Sequence, residues 1–356
     1  MKQTNLAQGA GLFMHPADPI LPRRLTNLLL LSLVLGLAAS GILGWVLPAD
    51  TAWPFWHAHR AVGVALLLAV LLKTPIARSS IDRRLRRPAL RWSVIPGVLA
   101  GVLLLGSVAL GLAWTLDFVS FDTLLGYSPL NVHVQLGLLL LPLMGWHARR
   151  RWERRPDLPS LVGRRAMLRL TGMAGLTLLG WPLLTWAAEA RPTDRARHPT
   201  GSKHAGSFSG NDFPVTIWLF DEVPRLDAST WRLSILGAVS APLSLSFAEL
   251  SALPLHTYDA VLDCTGGWWS EQSWSGVAID DLLARAGVPT AAREGSVISV
   301  SGHRWAFPLD ELRGALLATH VGGEPLTPGH GYPARLVVPG RRGFQWVKWV
   351  DRIEVV

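Results

Sequence analysis

The chain has 356 residues, enough for two or three domains, and its mean hydropathy of +0.29 excludes a disordered or highly solvated chain. The net charge of +9 is uneven, because residues 1–190 hold 19 of the 34 Lys and Arg residues but only 8 of the 25 Asp and Glu residues. This surplus of positive charge lies in the same part of the chain as the long apolar stretches. That pattern is typical of the cytoplasmic loops of membrane proteins and excludes nucleic acid as a partner. The single cysteine, Cys264, excludes an internal disulfide.

Five apolar stretches are each long enough to cross a bilayer, which takes about 20 helical residues. The loops after the second and fourth stretches are rich in arginine, whereas the first loop carries Asp50 and the third carries Asp117 and Asp122, with no Lys or Arg in either. By the positive-inside rule we expect a cytoplasmic N-terminus and a C-terminal half outside a bacterial cytoplasmic membrane, with lipid around the spans. The predicted spans are residues 25–47, 53–72, 94–116, 129–146 and 166–188.

Two histidines share a spacing and a predicted depth in this bundle. His59 near the start of the second span is followed by Gly63, and His133 near the start of the fourth is followed by Gly137. Two neutral imidazoles from facing helices can hold haem iron, and a glycine one turn away lets a flat porphyrin lie against the helix backbone. Without a Cys-x-x-Cys-His motif, such a haem would be of the b type.

Other histidines in this half leave alternatives open. His57 lies on a different helix face from His59 and is interpreted as an interfacial residue, although ligation stays possible. His147 would suit a second haem, but the position fourteen residues after His59 is Lys73, so we predict one haem at the outer side. Arg60 either pairs with a haem propionate or extends to the interface. A simpler alternative for all these histidines is that they lie at the membrane–water interface beside aromatic residues.

The four spans with His-x-x-x-Gly on the second and fourth resemble the small cytochrome b domains of bacterial membrane oxidoreductases. The resemblance implies a four-span domain over residues 1–160, one outer b-type haem held by His59 and His133, and electron exchange with quinone or quinol. A fifth span over 161–190 begins with Arg164 and Arg165, which resemble a twin-arginine export signal or else only fix the orientation of the span.

A polar segment over residues 191–210 is interpreted as a linker in which His198 and His204 are solvated. Beyond it, residues 211–356 are predicted to form an α+β domain with more sheet than helix. A capping box of Ser246 and Glu249 begins one predicted helix, and Gly287 ends another. Strands are predicted over 215–220, 231–236, 296–301 and 346–356, and helices over 246–253 and 278–286.

The chemistry of this domain centres on Cys264, which an apolar strand delivers into a turn with Gly266 and Gly267. A lone cysteine is often an inert packing residue, and no His and Asn or Asp set supports a cysteine hydrolase. A thiolate that binds one soft metal held by a cofactor fits better, because one cysteine cannot close a zinc site. Further along, Arg335 and Lys348 flank a loop with glycines at both ends. They either bind a phosphate together or are ordinary charged residues of a surface hairpin.

Residues 261–269 and 330–349 resemble the molybdopterin-binding domain of the sulfite oxidase family. The resemblance implies a pterin dithiolene that binds molybdenum, with Cys264 as the protein thiolate and catalytic centre. Ser301 falls where the oxidases carry an aspartate, and the arginines that hold sulfite have no counterpart in residues 265–270. The residues implied to contact the pterin and its phosphate are Asn211, Phe213, His330, Arg335, Trp346, Val347 and Lys348.

Together these patterns predict a membrane-anchored molybdenum oxidoreductase that transfers an oxygen atom to or from a small S- or N-oxide substrate and exchanges electrons with quinone through the haem. One alternative is a dehydrogenase of the sulfite oxidase type that feeds quinone. Two non-enzymatic alternatives are a haem-anchored binding scaffold and a plain tethered binding domain.

Overall fold

A computed structural model describes residues 21–120, 127–151, 163–190, 197–217 and 222–356. The described N-terminal part contains five helices long and apolar enough to cross a membrane, which suggests a membrane-spanning region as predicted. Asp122, residues 152–162 of the arginine-rich fourth loop, 191–196 of the linker and 218–220 of a predicted strand lie outside the described residues. The helices are α1 Arg23–Val46, α2 Ala49–Leu85, α3 Ile95–Thr115, α4 Pro129–Arg151 and α5 Arg164–Glu189.

The first four helices form a bundle in which α1 packs on α2 and α3 packs on α4. Each contributes one side chain to a small buried core of Val34, Leu66, Ala100 and Leu140. Helix α5 packs on α2 and leaves leucines such as Leu179 exposed, as expected for a surface that faces lipid. Helix α2 runs thirteen residues past its predicted end at Leu72, because its polar last turns continue the helix beyond the apolar stretch.

The C-terminal domain contains two mixed sheets with short helices between strands, which confirms the predicted α+β class. One sheet has the order β1-β5-β8-β10, with β4 also on β5 and β9 on β8, and the other has the order β3-β2-β11-β6-β7. One apolar core joins the sheets. The strands are β1 Lys203–His204, β2 Arg232–Gly237, β3 Leu243–Ser246, β4 His256–Cys264, β5 Trp268–Ala278, β6 Glu294–Ser299, β7 Arg304–Pro308, β8 Leu316–Val321, β9 Glu324–Pro325, β10 Arg335–Val337 and β11 Val350–Val355.

Three short helices complete the domain: α6 Phe247–Ser251, α7 Ile279–Arg285 and α8 Leu309–Arg313. The capping box before α6 is present, and Gly287 has a φ of +64° after α7, as predicted. The strand predicted over 346–356 was wrong in its first part, because only β11 pairs, while Trp346, Lys348 and Trp349 line a cavity. Residues 215–217, predicted as the start of a strand, are not in a strand.

The interpretation of residues 197–210 as a solvated linker was wrong. His198 Nδ1 lies 2.7 Å from Oδ2 of the buried Asp263, and Lys203 and His204 form β1, which pairs in parallel with β5. The physical reason is that the buried carboxylate needs hydrogen-bond donors and the edge of β5 needs a partner, and this segment supplies both.

The C-terminal domain packs against the end of the bundle where the acidic loops lie, opposite the arginine-rich loops. Trp45 Nε1, at the end of α1, donates to the carbonyl oxygen of Thr265 at 3.0 Å. Arg197 donates to the Trp114 carbonyl oxygen at 2.8 Å, and Lys203 forms an ion pair with Asp117. These contacts lie on both sides of the turn that carries Cys264, so the bundle covers this turn directly.

Candidate functional site

Cys264 ends β4 and begins the tight turn into β5. Gly267 in this turn has a φ of +89°, and the Gly266 N–H lies 3.3 Å from the Cys264 sulfur, to which it donates. A Cβ on Gly267 would come within 2.7 Å of Trp114 and Leu130 of the bundle, so only glycine allows the helices to approach this closely. The cysteine is buried, with 8% of its surface exposed, and borders a cavity between the domain and the bundle.

Four of the residues predicted from the family resemblance line this cavity together: Cys264, Ser301, Trp346 and Lys348. Ser301 Oγ lies 3.1 Å from Ser299 Oγ, and the Lys348 ammonium donates to the carbonyl oxygens of Gly329 and Thr216 at 2.7 and 2.9 Å. The lysine is therefore fixed at the cavity wall by two backbone groups, which holds its positive charge in one place.

Arg335 lies behind the cavity with its guanidinium wholly inside the protein. Its Nη1 donates to the carbonyl oxygen of His330 at 3.2 Å, whereas its Nε has no hydrogen-bond partner. Burial lowers the pKa of Arg335 to about 10, and attraction to Cys264 opposes that shift. A buried guanidinium with an unused donor, next to a cysteine, suits an anionic group that enters from the cavity.

His330 contacts both Arg335 and Phe213, a residue near the start of the domain. Its Nε2 lies 2.9 Å from the Phe213 carbonyl oxygen and its Nδ1 lies 2.7 Å from Thr327 Oγ1, while its ring packs on Phe213 at 4.1 Å. Burial lowers the pKa of His330 to about 4, so the imidazole is neutral near pH 7. One ring nitrogen then donates to the carbonyl and the other accepts from the hydroxyl.

The remaining predicted residues do not line the cavity. Asn211 is partly buried and hydrogen-bonds to the backbone of Pro325 and Thr327, which positions the loop before His330. Val347 is buried and accepts a backbone hydrogen bond from Leu336. In this structure Asn211 and Phe213 support the loop that carries His330, and Val347 pairs with Leu336 between two residues that line the cavity, Trp346 and Lys348.

Sequence reasoning missed two groups of residues at this site. Asp263, next to the cysteine, forms a buried ion pair with Arg342 and accepts hydrogen bonds from Thr200 and Ser202. Burial favours a higher pKa for Asp263, but Arg342 and the hydrogen-bond donors hold that pKa below its ordinary value. The second group comes from the bundle, where Trp45, Tyr127, Asn131 and Gln135 line the cavity. The signal for that group was a pair of amides, Asn131 and Gln135, on either side of His133 in the first turns of α4.

A second cavity lies within the bundle, and His59 and His133 face each other across it. Their ring centroids are 5.9 Å apart and their planes are nearly perpendicular. His59 Nδ1 is 3.0 Å from the Leu37 carbonyl oxygen, and His133 Nδ1 is 2.7 Å from that of Ser107. Because each Nδ1–H donates to a carbonyl, each Nε2 keeps its lone pair free for another atom.

Glycines shape this cavity. A Cβ on Gly63 would meet no atom within 4 Å, and one on Gly137 would meet only Ser107 Oγ at 3.9 Å, so both backbones border open space. Arg60 is 7% exposed and stacks on the Trp56 ring at 3.4 Å, with Nε and Nη1 unpaired. Its side chain lines the cavity and is buried.

The other histidines of the bundle lie outside this cavity. His57 packs edge-on against Trp53, Trp56 and Trp181, in agreement with its interpretation as an aromatic-belt residue. His147 lies near Gly97 at the other end of the bundle, and no histidine of the described chain faces it. The paired imidazoles are therefore those of His59 and His133.

Comparison with known proteins identifies the C-terminal domain. Residues 220–356 match the family described as the oxidoreductase molybdopterin-binding domain. The C-terminal domain belongs to this family. The prediction of a sulfite oxidase-like, molybdopterin-binding oxidoreductase domain is thus confirmed. Four of the nine site residues predicted for it line the cavity at Cys264.

Three individual proteins illustrate the similarity. Mitochondrial sulfite oxidase from Macaca fascicularis is 33% identical over 165 aligned residues, which cover 37% of this chain and 30% of that protein. The oxidoreductase YuiH from Bacillus subtilis is 35% identical over 133 residues, which cover 36% of this chain and 66% of that protein. The solved structure of the sulfane dehydrogenase SoxCD from Paracoccus pantotrophus is 32% identical with a TM-score of 0.36, covering 37% of this chain and 40% of that chain. The chain thus spans less than a third of the length of the sulfite oxidase.

Proposed function

We propose that this protein is a membrane-anchored molybdenum oxidoreductase that reduces a small S- or N-oxide at Cys264 with electrons received from quinol through a b-type haem. The observation that carries the proposal is the cavity that Cys264, Ser301, Trp346 and Lys348 share within a molybdopterin-binding domain. When bound, the cofactor supplies two-electron oxygen-atom transfer. Cys264 would hold its metal, while Lys348 and Arg335 offer positive charge to its phosphate.

The residues of the second cavity fit a haem. The Nε2 atoms of His59 and His133 are both free to ligate iron, and their orientation is set by hydrogen bonds at Nδ1. The open space beside Gly63 and Gly137 suits a flat ring, and the unpaired guanidinium of Arg60 suits a propionate. These features support one haem at the end of the bundle that faces the C-terminal domain.

The proposed electron route is short because the two cavities are neighbours. Trp45 lines both of them, and its Nε1 donates to the carbonyl of Thr265, the residue after Cys264. Quinol in the bilayer would deliver electrons to the haem. The arginine-rich loops at the far end of the bundle favour the orientation with the C-terminal domain outside the cytoplasmic membrane.

The choice of an S- or N-oxide over sulfite rests on charge. Among the described residues, no arginine lines the Cys264 cavity, and the lysine that does is engaged by two carbonyls. An oxyanion substrate calls for charge-assisted donors, whereas a neutral oxide needs only a hydrogen-bond donor. Oxidation of sulfite with electrons passed to quinone is the competing reaction.

The test uses detergent-purified full-length protein, analysed for molybdenum and by reduced-minus-oxidised absorption. We expect both molybdenum and a b-type haem spectrum, and reduction of methyl phenyl sulfoxide or trimethylamine N-oxide with reduced viologen as donor. Cys264→Ser should abolish the reduction and alter the Mo(V) resonance while the haem spectrum is unchanged. Wild-type protein without molybdenum or haem, or a Cys264→Ser variant with unchanged resonance and activity, would refute the proposal.

A further inference from the structure

Two amide side chains on membrane helix α4 face the Cys264 cavity. Asn131 and Gln135 are four residues apart, so they lie one above the other on one face of the helix, and both line this cavity. Polar groups inside a membrane bundle are costly and usually have a role. Both side chains are partly buried, and within the described part of the chain neither side-chain amide has a hydrogen bond to another residue, so both amides are available to a molecule in the cavity.

The lining of the cavity divides into two parts. Cys264, Ser301, Trp346 and Lys348 come from the C-terminal domain, whose family binds molybdopterin. On the bundle side, Trp45 and α4 close the cavity. The pterin is expected among the domain residues, so the α4 side is the part of the cavity left for substrate.

We propose that Asn131 and Gln135 bind the oxygen of a neutral, amphipathic oxide in front of Cys264, so that a membrane helix determines which substrate the molybdenum centre accepts. This inference rests on the proposed function. An amide N–H₂ donates well to an S=O or N–O oxygen and adds no charge. Apolar neighbours supply the surface for the organic substituents of such a substrate: Val134, Leu138, Ile217 and Phe344.

The arrangement also places the substrate site at the level of the α4 N-terminus. Tyr127, just before that helix, and Trp45 at the end of α1 both line the cavity. Amphipathic aromatic rings favour the membrane–water boundary. A substrate with an apolar body and a polar oxide head concentrates at the same boundary, which matches the mixed lining of the cavity.

The experiment measures binding without turnover. Oxidised, molybdenum-loaded protein cannot reduce a sulfoxide, so calorimetric titration with methyl phenyl sulfoxide gives its dissociation constant. We compare wild type with Asn131→Leu and Gln135→Met, which keep side-chain size and remove the donors. Losing one neutral hydrogen bond should weaken binding by about five- to tenfold. Asn27→Leu, the same kind of change in α1 near the opposite end of the bundle, is the matched control and should bind as wild type does.

Molybdenum content and the haem spectrum establish that each variant is folded and contains its cofactors. If Asn131→Leu binds little molybdenum, the binding comparison rests on Gln135→Met. If wild type binds and reduces the sulfoxide while loaded variants bind within twofold of it, the role of α4 is refuted and the proposed function stands. If the variants change only the KM for quinol, these amides belong to a quinol site and the inference is also refuted. If loaded wild type neither binds nor reduces any oxide, the proposed function itself fails.

Discussion

At the scale of single residues, the site combines a neutral imidazole and a buried guanidinium behind one cysteine. His330 is held by the Phe213 carbonyl and the Thr327 hydroxyl, and Arg335 donates to the His330 carbonyl. Both pKa values are lowered by burial. The histidine is therefore a positioning residue, because its two hydrogen bonds fix the loop that leads to Arg335 and it carries no charge near neutral pH.

This state of His330 predicts a dependence of stability on pH. The folded pKa of about 4 lies below the ordinary value of 6.5, so acid protonates the unfolded chain first. The free energy of unfolding should fall as pH decreases from 6.5 towards 4, by about 2 kcal/mol between pH 7 and pH 5. His330→Gln keeps a donor and an acceptor but does not titrate. Thermal unfolding of the C-terminal domain at both pH values should show a smaller loss in the variant, and equal losses in both proteins would contradict the assignment.

At the scale of elements, the helix pairs α1–α2 and α3–α4 orient their histidines in the same way. His59 on α2 bonds to the Leu37 carbonyl of α1, four residues before Gly41, and His133 on α4 bonds to the Ser107 carbonyl of α3, four residues before Gly111. A Cβ on either Gly41 or Gly111 would come within 3.0 Å of the imidazole. The repeated His-x-x-x-Gly spacing predicted the pair. The carbonyl partners were not predictable, because any residue has a carbonyl group.

The bundle also offers a steric test of the haem site. Gly63→Leu would place a side chain in the open space beside His59, where the proposed ring lies, so the purified protein should lose most of its b-type absorbance. Gly101→Leu is the control, since a Cβ there also meets nothing within 4 Å but Gly101 does not line the cavity. Molybdenum content should be unchanged in both variants. Full haem occupancy in Gly63→Leu would show that no ring lies against this glycine.

At the scale of the whole molecule, the membrane region, the C-terminal domain and the cysteine turn could be predicted from the sequence. The contacts between the bundle and the C-terminal domain could not. The hydrogen bond from Trp45 to Thr265 joins residues 220 positions apart, and no local pattern encodes such a contact. The same limit explains the error over His198 and His204, since a polar stretch has the composition of a linker whether or not a distant carboxylate and strand edge require it. Cys264, by contrast, was predictable because its glycine turn is a local signal.

The position of Trp45 predicts how the halves work together. It is the one aromatic side chain among the described residues that lines both cavities, and its indole N–H bonds next to Cys264. Trp45→Phe keeps a ring but loses the indole N–H and leaves a gap at this contact. We expect reoxidation of the reduced haem by methyl phenyl sulfoxide, followed by rapid mixing, to slow severalfold, while molybdenum content and viologen-driven activity stay near wild type. Trp53→Phe, an exposed residue of α2, serves as the control. If Trp45→Phe reoxidises as fast as that control, electrons do not pass between the two halves at this contact.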